Sequence, residues 1–325
     1  MNCGYALLTQ SGETLPLSTR GDKLQQFQLQ MYHYAALGIK FQGSLAGKKV
    51  LDLCCGRGGG VAFLAKQYEA AEAVGIDFSA HQINTAQDLF TNGLEKETED
   101  NQASSSPQSS IQFLQGDAEK LHQVEELNGK RFDLVMCIEG MHCLGNPTAM
   151  IDYVQKHLLA DNGQIVIVDS FDKCDIERIE ANFQKDKKLI IQKKEVITFN
   201  VKHAMQLDKT RAEKLIQRIT GNKVVTRILR NFLASGEESK TYDELGKTHE
   251  YICYVLMKKS AVDLRKTSSS LYQGQQEQQT QGSNSYFGFS AGHHQPFNIR
   301  NQSNSFSSNY GASANLVNSQ TAQTY

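Results

Sequence analysis

The sequence predicts an α/β fold, a doubly wound, seven-stranded and mostly parallel sheet with helices on both faces. Three observations predict it. Short apolar runs alternate with helical patterns, the first run ends in a glycine cluster, and acidic residues recur where later runs end. Strand–helix alternation at this spacing requires crossover connections, which are right-handed and leave the joined strands parallel.

KVLDL (49–53) is the first strand, followed by glycines and a helix from about residue 61 to 68. AVGID (73–77) is the second. Ser79, with Gln82 three residues on, forms a capping box that opens a helix to about Phe90. IQFL (111–114) is the third strand, and FDLVMCI (132–138) is the fourth, apolar enough for burial on both faces. Asn146 caps a helix with Pro147 at its first position; it runs to about Leu159, and Asp161-Asn162-Gly163 turns the chain. QIVIVD (164–169) is the fifth strand, and KLIIQKKEVIT (188–198) and YICYVLMK (251–258) supply the last two. Between them lies a helical cap over about residues 200–246. Its amphipathic stretch from Asn200 to about Leu233 has Leu215, Ile216, Ile219, Val224, Val225 and Ile228 as apolar positions. A helical insertion that late in such a fold covers the ligand crevice.

Composition divides the chain into an N-terminal segment (1–23), an ordered body (24–260) and a tail (261–325). From Lys266 onward nearly half the residues are Ser, Gln or Asn, and only Lys266, Glu277 and Arg300 carry charge. Such a stretch buries too little apolar surface to offset the entropy of ordering, so a disordered C-terminal tail is expected. Residues 95–110, acidic and then Ser-rich, read as a loop insertion. A net charge of −1 gives no strong pull toward nucleic acid, so no nucleic-acid partner is expected. No apolar run reaches the length of a transmembrane segment, and Met1-Asn2-Cys3-Gly4 lacks a signal-peptide pattern. The seven cysteines form no disulfide framework and no zinc-ligand spacing. Reduced thiols, a cytoplasmic location and no metal are the expectation.

The chemistry centres on VLDLCCGRGGG (50–60), where a buried strand feeds a glycine turn that lets backbone approach a ligand. A dinucleotide fingerprint counted from Gly56 and Gly58 needs a third glycine where Val61 stands. Asp52, just before the turn, repels a pyrophosphate and suits a cationic ligand. Asp77, at the end of the second strand, is placed to accept ribose hydroxyls, and Asp117, after the third, to meet an adenine amino group. Taken singly, Asp77 could cap the next helix and Asp117 could start a turn. Together they converge on the crevice at the carboxyl ends of the strands.

At these residues the chain resembles the class I S-adenosylmethionine-dependent methyltransferases, which share a Rossmann-like fold. The resemblance rests on VLDLCCGRGGG (50–60), VGIDFS (74–79), FLQGDAEKL (113–121), FDLVMCIEGMHCL (132–144) and GQIVIVD (163–169). GRGGG, Met141-His142-Cys143 and ITFNVKHAMQLDKTRAEKLI (197–216) are similar to bacterial enzymes that methylate hydroxyls of polyketides and lipids, including phthiotriol-type and macrolide sugar O-methyltransferases. The resemblance implies S-adenosyl-L-methionine as cofactor, with Asp52, Cys55, Gly56 and Gly58 at its methionine end. It implies Asp77 at the ribose, Phe78 against the adenine face, Asp117 and Ala118 at the adenine edge, and the Cys137 carbonyl toward the sulfonium. Cys54 replaces the usual first glycine, and Leu-Ala-Asp-Asn-Gly replaces the usual proline–glycine turn before the fifth strand.

The resemblance implies a small-molecule or lipid acceptor, with a hydroxyl as the expected methylation site. An alcohol is a poor nucleophile until a base takes its proton. His142 and Asp169 stand at neighbouring strand ends, where they could supply that base. His142 filling a polar turn and Asp169 capping the next segment is the alternative. Tyr32 and Tyr34, on a helix entering the domain, fit either a cover over the cofactor or packing on the sheet. Carbon or nitrogen methylation of a quinone or phosphobase type, and a non-catalytic cofactor-binding interaction protein, remain open alternatives.

Overall fold

The sheet of the computed structural model contains β1 (Lys49–Leu53), β2 (Glu72–Asp77), β3 (Ser110–Gln115), β4 (Phe132–Ile138), β5 (Leu159–Asp172), β6 (Leu189–Val196) and β7 (His249–Lys258). Their order is β3-β2-β1-β4-β5-β7-β6. The first five strands pair in parallel, and β7 runs antiparallel between β5 and β6. The chain moves outward from β1 to β3, then returns to place β4 on the other side of β1. That reversal opens a crevice at the carboxyl ends of β1 and β4. Residues 2–8, 14, 25–37, 44–91, 110–185, 188–232 and 239–259 are described. All except Lys259 belong to one unit, Met1–Leu17 with Asp22–Lys258; the other is Ser18–Gly21 with Lys259–Tyr325.

Strand alternation builds two cores, one on each face. Along β4, Leu134, Met136 and Ile138 point to one face, and Val135 and Cys137 to the other, as a period of two requires. The first face packs under α1 (Gln26–Leu37), α2 (Gly59–Tyr68) and α6 (Thr198–Ile219), through Met31, Phe63, Leu64, Val201 and Met205. The second packs under α4 (Pro147–Tyr153) and α5 (Ile176–Phe183), through Met150, Ile151 and Phe183. Burying each large apolar side chain stabilises the fold by about 1.5–3 kcal/mol. The remaining described helices are α3 (Ala80–Phe90), α7 (Lys223–Phe232) and α8 (Lys240–Glu244).

Four local expectations are corrected. The cap of α3 is half a capping box: Ser79 Oγ accepts from the Gln82 N–H at 3.4 Å, but the Ser79 N–H donates to Asp77 Oδ1 at 2.9 Å. The carboxylate two residues upstream reaches that donor in place of the Gln82 amide. After α4 the helix widens into π-type turns over Val154–Leu158. The expected turn at 161–163 lies within β5, whose register shifts against β4 between the Phe132↔Leu159 and Leu134↔Gln164 pairs. The amphipathic stretch expected from Asn200 to about Leu233 is broken into two helices, because Thr220 is extended and Gly221-Asn222 follow it. Asn222 Oδ1 then caps α7, accepting from the Val224 N–H at 2.8 Å and the Val225 N–H at 3.3 Å. Residues 261–325 of the expected tail and 95–109 of the expected insertion lie outside the described residues; Ser110 opens β3.

Candidate active site

The glycine turn begins with a strained cysteine. Cys54, directly after β1, has φ +62°, a left-handed conformation that L side chains rarely hold. Its thiol hydrogen-bonds with that of Cys137, the first cause raising the Cys137 pKa, followed by burial. Any Cβ at Gly140 would lie 2.9 Å from Cys54 Sγ and 3.1 Å from Cys137 Sγ. Gly56 (φ +58°) and Gly58 (φ +74°) continue the turn. Around Gly56 a Cβ would meet open space, whereas at Gly58 it would lie 2.3 Å from the Phe113 ring. Cys55 sits beneath: its N–H donates to the Ile76 carbonyl at 2.9 Å, and its thiol packs at Gly75.

Asp77 ties this turn to the next helix. Its Oδ2 accepts from the Gly56 N–H at 2.9 Å and its Oδ1 from the Ser79 N–H. Each oxygen keeps a second lone pair. Beside it Phe78 is 75% exposed, a large aromatic face in water at the crevice rim. Asp117 Oδ1 accepts from the Glu119 N–H at 2.9 Å, and Oδ2 pairs with Lys120 at 3.1 Å. These bonds hold its carboxyl below the usual range, the backbone N–H contributing most. Ala118 is buried in the 3₁₀ turn that follows.

Beneath the turn lies Asp52, 1% exposed. Its Oδ2 accepts from the Tyr32 hydroxyl at 2.8 Å, and its Oδ1 has no partner among the described residues. Burial pushes its pKa up to about 7, against the opposing hydrogen bond from Tyr32. A buried carboxylate oxygen without a donor is costly unless a cation or N–H reaches it. Tyr32 also roofs the start of α2, where a Cβ at Gly60 would lie 2.0 Å from its ring.

His142 and Asp169 form a second polar group in the crevice. The imidazole Nδ1 lies 2.8 Å from Asp169 Oδ1, and the His142 N–H donates to Oδ2 at 3.1 Å. Ser170 donates its N–H to Oδ1 at 2.7 Å. The Asp169 side chain is 1% exposed and that of His142 54%. The hydrogen bond to Asp169 raises the His142 pKa above 6.5, against partial desolvation. An ionised carboxylate only accepts, so Nδ1 donates and the outer Nε2 is free to accept a proton.

Glu139 is the residue that sequence reasoning missed. It follows β4 with φ +50°, and its carboxylate accepts from the Cys3 N–H and the Tyr251 hydroxyl. Burial raises its pKa. The signal was an acidic residue at a strand end inside FDLVMCIEGMHCL, the same pattern that singled out Asp77 and Asp169. Through Cys3 it fastens the N-terminal segment, which also bonds α1 and α6 by Tyr5 N–H to the Phe27 carbonyl and Ala6 N–H to the Asn200 carbonyl. The structure thus brings Asp52, Cys55, Gly56, Gly58 and Asp77 to one turn, and His142 and Asp169 into direct contact.

The family model described as "Methyltransferase domain" matches residues 44–217, more than half the chain. A fatty-acid O-methyltransferase of Mycolicibacterium smegmatis is 28% identical over 261 residues, covering 79% of this chain and 82% of that protein. A phthiotriol/phenolphthiotriol dimycocerosates methyltransferase of Mycobacterium leprae is 25% identical over 56% of this chain, which spans 58% of that relative. Among solved structures, the StiE O-MT aligns with a TM-score of 0.53 at 18% identity, covering 78% of this chain and 84% of that one, a likeness of fold. With β1 to β6 and all but the last two residues of α6 inside the matched span, the chain belongs to the methyltransferase-domain family, whose methyl donor is S-adenosylmethionine.

Proposed function

We propose that the protein methylates an oxygen of a lipid-like acceptor and that His142 takes the acceptor's proton. The observation that carries this reading is the 2.8 Å contact from His142 Nδ1 to buried Asp169, beside the crevice at β1 and β4. S-adenosylmethionine supplies an electrophilic methyl group on a sulfonium. The chain's residues would hold and align it: Asp52 Oδ1 would take the methionine ammonium, and the Gly56–Gly58 turn would give its backbone room. Asp77 would take the ribose hydroxyls on its spare lone pairs, Phe78 would cover the adenine, and Asp117 with Ala118 would hold the adenine edge. The unpartnered buried oxygen of Asp52 and the open space at Gly56 support that fit. The Cys137 carbonyl would lie toward the methyl-bearing end of the cofactor.

Methyl transfer is an in-line displacement, so alignment and exclusion of water supply much of the acceleration. His142 Nε2 would take the acceptor hydroxyl's proton while the oxygen displaces the thioether, the methyl–sulfur bond breaking with its electron pair left on sulfur, and Asp169 would stabilise the resulting imidazolium. Seven unbridged cysteines suit a cytoplasmic enzyme.

A second reading follows from the fatty-acid O-methyltransferase relative. A carboxylate acceptor is already anionic and needs no base; His142, with its raised pKa, would then anchor it as a cation. Methyl-labelled cofactor offered with fatty acids and with long-chain alcohols, read by mass, tests the proposal. Alcohol methylation with kcat rising with pH supports the base. Methylation of acids alone, with KM worsening as pH rises, supports the anchor and contradicts the base.

A further inference from the structure

The cap helices carry a surface the reaction does not use. On α7, Val224 and Ile228 are 69% and 62% exposed, and Val225 lies beside them; Ile219 is exposed at the end of α6. Residues 224, 225 and 228 share one side of a helix, and Lys223 and Arg227 flank them. Between residues 209 and 230 the chain has seven basic residues against one acid, Glu213, although its net charge is −1. Glu213 is taken by Arg230 at 2.8 and 3.0 Å. Exposed Lys214, Arg218, Lys223 and Arg227 are left without an acidic partner among the described residues.

A second exposed stripe lies on α6, at the carboxyl end of the sheet. β6 and β5 both run antiparallel to β7, so the carboxyl end of β6 lies at the sheet edge that holds Asp169. Val196, which ends β6, and Phe199, in the first turn of α6, are exposed there. Phe199, His203 and Leu207, four residues apart, continue along α6 toward Lys214 and Arg218.

We propose that this face docks on an anionic lipid surface, so that a membrane-resident acceptor can enter the crevice. The proposal rests on the lipid-acceptor reading. Interleaved cations and aliphatic side chains suit a bilayer interface: the aliphatics enter the acyl boundary while Lys and Arg remain among anionic headgroups. Each basic side chain near such a surface contributes about fivefold to partitioning. A nucleic acid would use the cations but leave Val224 and Ile228 in water.

The test is co-sedimentation of the full chain with phosphatidylcholine vesicles, with and without phosphatidylglycerol. The expected result is binding only to the anionic vesicles, weakened by salt. Binding should fall at least tenfold in both Val224→Ser/Ile228→Ser and Lys223→Glu/Arg227→Glu, while affinity for S-adenosylhomocysteine in solution is unchanged. Absence of vesicle binding, or unchanged binding in either variant, overturns the proposal. So does a concentration-dependent dimer, seen by analytical ultracentrifugation, that both variants abolish, since a second copy would then own the face. Methylation of a detergent-dispersed acceptor is measured in parallel. Turnover without vesicle binding condemns the docking alone, whereas vesicle binding without turnover on any lipid condemns the acceptor reading.

Discussion

The Tyr32 hydroxyl donates to Asp52 at 2.8 Å, joining α1 to β1 beneath the glycine turn. Tyr32 supports only one oxygen of that carboxylate, and the other is buried without a donor among the described residues. On the proposed reading, helix α1 thereby prepares a carboxylate for a cation.

The first prediction follows from the Asp52 pKa, pushed up to about 7. Because the folded value is raised, protonated Asp52 favours the ligand-free fold, and that contribution is lost as pH rises through about 7. An ammonium ligand needs the ionised form. Affinity for S-adenosylhomocysteine should therefore rise about tenfold per pH unit below 7 and level off above it, with proton release on binding. Calorimetry in buffers of different ionisation enthalpy measures both. In Asp52→Asn the slope should vanish.

The second concerns Cys54 at φ +62°. Glycine holds this conformation without a Cβ penalty, whereas a β-branched side chain suffers more than cysteine. Cys54→Gly should change stability by no more than about 1 kcal/mol, and Cys54→Val should lower it by about 2 kcal/mol or more. Denaturant unfolding of the two variants gives the comparison.

The third concerns Gly58. An alanine Cβ there would lie 2.3 Å from Phe113 Cε1 and 2.9 Å from Ala86 Cβ, at φ +74°. Both the backbone and the packing resist it, so Gly58→Ala should cost about 2–3 kcal/mol of stability. It should weaken S-adenosylhomocysteine binding even at temperatures where the variant remains folded.

The sheet was legible because each strand run is bounded by turn residues, and the alternation of Leu134, Met136 and Ile138 with Val135 and Cys137 sorts side chains to opposite faces. That Asp52, Asp77 and the glycines gather at one turn was legible because it depends only on their positions at the ends of the adjacent strands β1 and β2. Tyr32 was ambiguous, since a buried tyrosine on a helix looks the same in sequence whether its hydroxyl meets a carboxylate or the core. Glu139 was missed because its partners, Cys3 and Tyr251, are 136 and 112 residues away in sequence. The bulge in β5 escaped notice for a local reason: Asp161-Asn162-Gly163 has turn chemistry, and only the pairing of Leu159 with Phe132 of β4 carries the strand past it.

The most direct test of the proposed chemistry is the pH profile of kcat at saturating cofactor, for wild type and His142→Gln. A positioned base contributes about 10²–10⁴-fold, and its proton must be absent before turnover. Asp169 raises the His142 pKa, so the wild-type limb should rise with pH through a value above 6.5. The account predicts that His142→Gln lowers kcat by at least about a hundredfold and removes the limb, with cofactor affinity held within a few-fold. A folded variant whose kcat stays within about threefold of wild type, with the limb intact, would contradict it.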